Sequence, residues 1–203
     1  MAYILILIGL GCLGTGIYIL ASHKEKPVVN ELTVNKSDEE LRHRIQPLNF
    51  DEENRKKGND FEKFVVQKFD RKYFALQEWR SDKYVNGIYA ASNQLPDLEI
   101  NFRKGNINDS FAVECKWRKG YYDNSIKWAE YYQLSNYKNY AKRLQIQVFV
   151  IIGIGGSPDS PEEIFIIPLS QLKSATISQE ELRIYEKKDK GPFYWDGNRK
   201  QLH

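Results

Sequence analysis

The chain has 203 residues, 30 of them Lys or Arg and 27 Asp or Glu, for a formal net charge of +3. That balance neither demands nor excludes a nucleic-acid partner, and the length allows one compact domain with a real core beside shorter segments. His23, His43 and His203 lie outside the expected folded core, and Cys12 and Cys115 fall in separate segments. This excludes histidine-ligated metal nucleases, Ser-His-Asp hydrolases and a disulfide framework, and it fits a reducing compartment.

The first element is apolar. Tyr3 to Ala21 carries no charge, and as a helix rising about 1.5 Å per residue it approaches the ~30 Å thickness of a bilayer's hydrocarbon core. Tyr3 and Tyr18 sit near its ends, as interfacial aromatics do. The alternative is a cleaved signal peptide, but no Lys or Arg precedes the run and it is long for a signal's apolar core. Lys24, Lys26, Arg42 and Arg44 follow it, which predicts a single-pass anchor in the lipid bilayer with everything C-terminal in the cytoplasm. The expected division is a transmembrane anchor over 1–22, a polar linker over 23–50 with a short helix over Ser37 to Ile45, and a folded domain over 51–203.

The domain opens with an amphipathic helix over Arg55 to Phe69. Glu62 shares its apolar face with Val65, Val66 and Phe69, so this carboxylate should be near the core and should have a partner. A capping box with Asn59 as N-cap is the competing reading. Tyr73 to Trp79 follows as a probable first strand.

Two further strands carry most of the chemistry. In Asp97 to Phe102 the apolar residues alternate, leaving Asp97, Glu99 and Asn101 on the other face; in Phe111 to Arg118 the same alternation puts Glu114 and Lys116 together. The polar loop between them, with Gly105-Asn106 at its centre, predicts an antiparallel hairpin. One register sets Asp97 opposite Lys116; the other sets it opposite Glu114. Either gathers two carboxylates and a lysine on one face. Asp97 and Glu114, with a strand carbonyl such as that of Cys115, suit Mg²⁺, with Mn²⁺ as a possible substitute, and Lys116 could orient a water or neutralise charge on a phosphate. The bland alternative is a cross-strand Asp97 to Lys116 ion pair on a solvated face.

A helix is expected from about Ser125 to Leu144, with Gln133 and Tyr137 one turn apart on the face that also holds Ile126, Ala129, Tyr140 and Leu144. Ile146 to Ile152 then reads as a buried strand reached through that helix, and Glu163 to Pro168 as a strand pairing near it. Leu169 to Ser174 reads as a helical turn, and Asp196-Gly197 suggests a C-terminal hairpin lining a groove. The expected fold class is α/β: a mixed sheet flanked by helices in the order αβββαββ. Basic clusters at Arg55-Lys56-Lys57, Lys116 with Arg118-Lys119, Lys138 with Lys142-Arg143, and Lys187-Lys188 with Lys190 could meet phosphates, and Tyr121, Tyr122, Trp128, Tyr131 and Tyr132 could stack on bases.

In order, Gly58 with Phe61-Glu62, Pro96-Asp97, Glu114-Cys115-Lys116 and Gln133 to Tyr137 resemble the motifs of the PD-(D/E)xK, or restriction-endonuclease-like, nuclease superfamily. The last pair resembles the QxxxY motif of its exonuclease-type members. The resemblance spans roughly residues 51 to 170. It implies that Asp97 and Glu114 hold the metal, that Lys116 is the catalytic lysine, that Glu62 completes the metal shell, and that Gln133 and Tyr137 support the site. The function it implies is Mg²⁺-dependent hydrolysis of nucleic acid, DNA in the first instance, by an activated water. The alternative is an inactive, membrane-tethered nucleic-acid-binding or scaffold protein on the same fold.

Overall fold

The computed structural model describes residues 36–80, 84–85, 88–89 and 94–203, so the expected anchor over Tyr3 to Ala21 lies outside the described residues. Among the described residues no helix is long and apolar enough to cross a membrane. A compact unit runs from Pro47 to His203.

The first helix, α1, covers Lys36–Gln67. It is one element where a short helix, a linker and a second helix were expected, and it places Asn59 in its interior, which removes the Asn59 capping box. Phe61 and Val65, one turn apart, are fully buried. The helix closes by tightening: the N–H groups of Lys68 and Phe69 donate to the carbonyls of Val65 and Val66, three residues back.

The five-stranded central sheet has the order β1-β4-β5-β7-β8, with β1 at Phe74–Trp79, β4 at Leu98–Lys104, β5 at Ile107–Arg118, β7 at Gln147–Ile154 and β8 at Glu163–Pro168. Between β1 and β4 lies a small pair, β2 (Tyr84–Val85) with β3 (Ile88–Tyr89). Strands β4 and β5 form the expected hairpin. Gly105, at φ +60°, turns the chain in a conformation that a residue with a Cβ adopts at a cost, and Leu98 pairs with Val113. This register, continued one residue outward, sets Asp97 opposite Glu114, the second of the two anticipated alignments.

Helix α2, Tyr131–Leu144, carries the chain back across the sheet, so β7 runs parallel to β5 while the other neighbours are antiparallel. Counting only the central sheet and these two helices, the chain order is αβββαββ, as expected. The start of the predicted second helix is overturned: Ser125–Lys127 is a short strand, β6, paired with β9 at Thr176–Ser178. Ile126 is buried because β6 folds onto the core, and Leu144, expected on the buried face, is exposed. The remaining elements are 3₁₀ turns at Leu169–Gln171 and Arg183–Tyr185, a short helix α3 at Gln179–Leu182, and a terminal pair, β10 (Trp195–Asp196) with β11 (Gln201–Leu202).

The alternation along β4 and β5 divides the core into two. Leu98, Ile100, Phe102, Phe111, Val113 and Cys115 join Phe61 and Val65 of α1 on one face. Ala112 and the alternate residues of β7, Val148, Val150 and Ile152, join Leu134, Tyr137 and Tyr140 of α2 on the other. The first face is strongly aromatic: Phe111 stacks on Trp195 at 4.6 Å between centroids and 7° between planes. Trp195 also donates from Nε1 to Asp109 Oδ2 at 2.8 Å, and Lys200 Nζ lies 2.5 Å from Asp109 Oδ1. The C-terminal hairpin thus closes the aromatic layer.

Candidate active site

Strand parity places Glu114 and Lys116 on the α2 side of the sheet, where the space between β5 and the start of α2 forms a cleft of about 480 Å³. Glu62, Asp97, Glu114, Cys115, Lys116, Gln133 and Tyr137 all line it, so the candidate metal-binding and catalytic residues meet in one place. Asn54, Lys57 and Gly58 of α1 add to the wall, as do Trp117, Arg118 and Lys119 at the end of β5.

Glu114 is at the centre and is only 1% exposed. Its Oε1 lies 2.5 Å from Lys116 Nζ and accepts from the Tyr137 hydroxyl at 2.7 Å. Its Oε2 is buried without a hydrogen-bond partner among the described residues. An isolated buried carboxylate oxygen is costly, so this atom marks where a ligand would compensate most. Tyr137 therefore bonds directly from α2 to the carboxylate at the centre of the cleft. Lys116 pairs with Glu114, and the alternative of a solvated Asp97 to Lys116 ion pair is not what the structure shows.

Asp97, at the mouth of β4, accepts from the Cys115 backbone N–H through Oδ2 at 2.7 Å. Burial raises its pKa well above the usual carboxylate value, and the nearby charges of Glu114 and Glu62 push the same way; Lys116 and the Cys115 N–H oppose them without prevailing. Burial would lower the pKa of Lys116, yet the Glu114 and Asp97 carboxylates outweigh it and hold the ammonium charged. The Cys115 thiol is pushed up by burial and by the same carboxylates, and it stays protonated.

Glu62 is 7% exposed, and its partner is the Trp79 indole, whose Nε1 donates to Oε2 at 2.6 Å. Sequence reading assigned Trp79 only to the end of a strand. Arg80 was missed as well. Its Nη1 donates to the Pro96 carbonyl at 3.1 Å, its backbone N–H donates to the Asp97 carbonyl at 2.7 Å, and its guanidinium pairs with Glu99, which also accepts from Tyr140. Arg80 thereby ties down the segment that presents Asp97. The charged residues around Trp79 and Arg80 hid both roles, because nothing local distinguishes a residue that braces a distant loop from a solvated one.

Gln133 departs most from expectation. It is half-buried, and its Oε1 accepts the Glu130 backbone N–H at 2.9 Å, completing a capping box at the start of α2. Its side chain faces the cleft as a helix cap, not as a buried amide among aromatics.

The donor set suits a hard divalent cation. Among the described residues no three His, Cys, Asp or Glu side chains form a ready-made metal cage, but Mg²⁺ is ordinarily held by one or two carboxylates with water and phosphate oxygens completing its shell. Glu114, through Oε2, and Asp97 on the neighbouring strand could supply those carboxylates.

No family model matches the chain, and no curated protein matches it. Among solved structures it is similar to Hjc, a Holliday junction resolvase from the archaeon Archaeoglobus fulgidus, with 15% sequence identity and a TM-score of 0.43 over 63% of this chain and 93% of that chain. The overlap is too loose to bear on what this chain does.

Proposed function

We propose that the protein is a metal-dependent nuclease that hydrolyses phosphodiester bonds of DNA, with Asp97 and Glu114 as metal ligands, Glu62 completing the shell and Lys116 as the catalytic lysine. The observation that carries this reading is the meeting of three carboxylates with Lys116 in a single cleft, with Glu114 Oε2 buried and unpartnered among the described residues. Bound Mg²⁺ would supply Lewis-acid stabilisation of phosphate charge and lower the pKa of a water. The chain's own residues do the rest. Tyr137 fixes Glu114 from α2, the Cys115 N–H orients Asp97, and Trp79 orients Glu62. Lys116, held protonated by its carboxylate neighbours, is placed to neutralise charge that builds on the attacked phosphate. The Cys115 carbonyl remains a candidate further ligand.

The test is cleavage of plasmid and linear DNA by the full-length protein with Mg²⁺, beside Asp97→Ala and Lys116→Ala. Losses of roughly a hundredfold or more are expected for both, the scale of removing a preorganised charge stabiliser; equal activity in all three proteins would sink the proposal. An inactive nucleic-acid-binding role on the same fold is favoured by one feature: Lys116 and the Cys115 N–H already engage the carboxylates. Mg²⁺-independent DNA binding without cleavage would support it.

The anchor over Tyr3 to Ala21, the linker over 23–50 and the cytoplasmic placement of a domain over 51–203 belong to the same proposal. They rest on the uncharged apolar run and the basic residues after it. Protease accessibility in intact cells checks them: a protected domain that sediments with membranes is expected, and digestion from outside would overturn the orientation.

A further inference from the structure

Arg118 ends β5 two residues beyond Lys116, on the same face and lining the same cleft. Its guanidinium is held by backbone carbonyls: Nε donates to Lys127 at 2.9 Å, Nη1 to Trp117 at 2.9 Å, and Nη2 to Trp128 at 3.2 Å. A guanidinium has five N–H donors, so one remains on each terminal nitrogen. None of these partners is an anion, whereas Arg80, Arg183 and Arg199 each lie against a carboxylate. Arg118 is thus a fixed, half-buried cation that bonds directly to no acid among the described residues, beside a cleft that gathers carboxylates.

We propose that Arg118 binds a phosphate of the nucleic-acid backbone, its two remaining N–H groups donating to the non-bridging oxygens of the phosphate next to the one under attack. The proposal rests on the nuclease reading and deepens it by assigning a substrate contact outside the metal-ligand set. The Glu114 carboxylate, on the same strand, acts on this charge, but it makes no direct bond to the guanidinium, whose two remaining N–H groups are left for an anion that enters the cleft. Planar, paired N–H groups match phosphate oxygens, and a guanidinium already immobilised loses little further freedom on binding. Lys57 and Lys119, on the cleft wall, would extend the contact along the strand with looser, more salt-sensitive interactions.

The experiment measures binding of short single-stranded and duplex DNA to the full-length protein in detergent, with Ca²⁺ replacing Mg²⁺. A set of otherwise identical strands carries one uncharged methylphosphonate at successive positions. At one position, the neutral linkage is expected to weaken wild-type binding roughly ten- to a hundredfold, the worth of a hydrogen bond to a charged group. It should leave Arg118→Gln unaffected at that position, and the salt dependence of Arg118→Gln should fall by about one phosphate's slope. If every methylphosphonate weakens Arg118→Gln as much as wild type, Arg118 only holds the 127–128 segment and the proposal is overturned. Should Arg118→Gln fail to fold, Arg118→Lys keeps the charge, loses the paired donors and serves the same comparison. A wild-type protein that neither binds nor cuts nucleic acid would overturn the nuclease reading as well; normal wild-type cleavage with an unaltered methylphosphonate pattern would overturn this assignment alone.

Discussion

The two faces of the central sheet use the same strands for opposite ends. Toward α1, alternate residues of β4 and β5 enter a dry aromatic layer in which Phe111 touches Trp195, Phe149 and Phe74. Toward α2, the intervening residues of the same strands include Glu99, Glu114 and Lys116, whose partners include Tyr137, Tyr140 and Arg80. The first face gains from removing apolar surface from water, whereas the second has an apolar cluster of its own that offsets the cost of desolvating charge. Stability and chemistry are therefore separated by a single step along the strand, and substitutions one residue apart should fail in different ways.

The largest effect is expected on the aromatic face. Phe111 is fully buried, and Phe111→Ala should lower stability by about 3–5 kcal/mol through lost burial and the cavity left behind. Chemical denaturation measures this. The surviving folded fraction should keep its response to Mg²⁺, because Phe111 points away from the cleft; a variant of full stability that had lost its metal response would contradict the division of labour. On the other face, Tyr137→Phe removes one hydroxyl from a fully buried ring and leaves Glu114 Oε1 with Lys116 alone. A hydrogen bond to a charged group is worth about 1.5–3 kcal/mol, so a smaller loss of stability is expected, together with reduced cleavage at saturating DNA. Unchanged cleavage would mean that Tyr137 only fills space.

The fold was legible where one period dominates. The alternation in Asp97 to Phe102 and Phe111 to Arg118 gave both strands and their faces, and Glu163–Pro168 was placed to the residue. Gly105-Asn106 pointed to the hairpin, though two registers survived until the pairing of Leu98 with Val113 decided between them. The misreadings share a cause. Ser125 to Lys127 carries apolar spacing that suits a helix, yet tertiary pairing with Thr176–Ser178 draws it into a strand. Gln133 looked buried because Tyr137 is, but the open N-terminus of α2 claims its side chain. Trp79 and Arg80 escaped notice because each acts on residues far away in sequence, and Arg118 was legible only as part of a basic cluster; no spacing rule encodes a bond from Trp79 to Glu62 or from Arg118 to Trp128.

The smallest of the expected effects is also the one that most sharpens the contrast between the faces. Asp97 has its pKa raised by burial and by Glu114 and Glu62, so in the metal-free protein its negative charge opposes folding. The sign follows from linkage: an acid whose folded pKa lies above its unfolded value favours the folded state most at low pH. Its contribution to stability then declines as pH rises from the ordinary aspartate value of about 3.8 through the raised folded value. The penalty is complete only above that raised value. Asp97→Asn keeps an oxygen to accept the Cys115 N–H and discards the charge, so it should stabilise the metal-free protein by about 1 kcal/mol, or ~2–4 °C in Tm for a domain of this size. The gain should vanish toward acid pH, where the wild-type carboxyl is protonated. Mg²⁺ should reverse the order: binding raises the wild-type Tm by mass action, while the variant, lacking a ligand, responds weakly and has lost cleavage. Thermal melts of both proteins with EDTA and with Mg²⁺ decide it. An Asp97→Asn protein that is less stable without metal would show that this carboxylate is a structural acceptor, and would remove the stability cost that marks the α2 face as built for binding a cation.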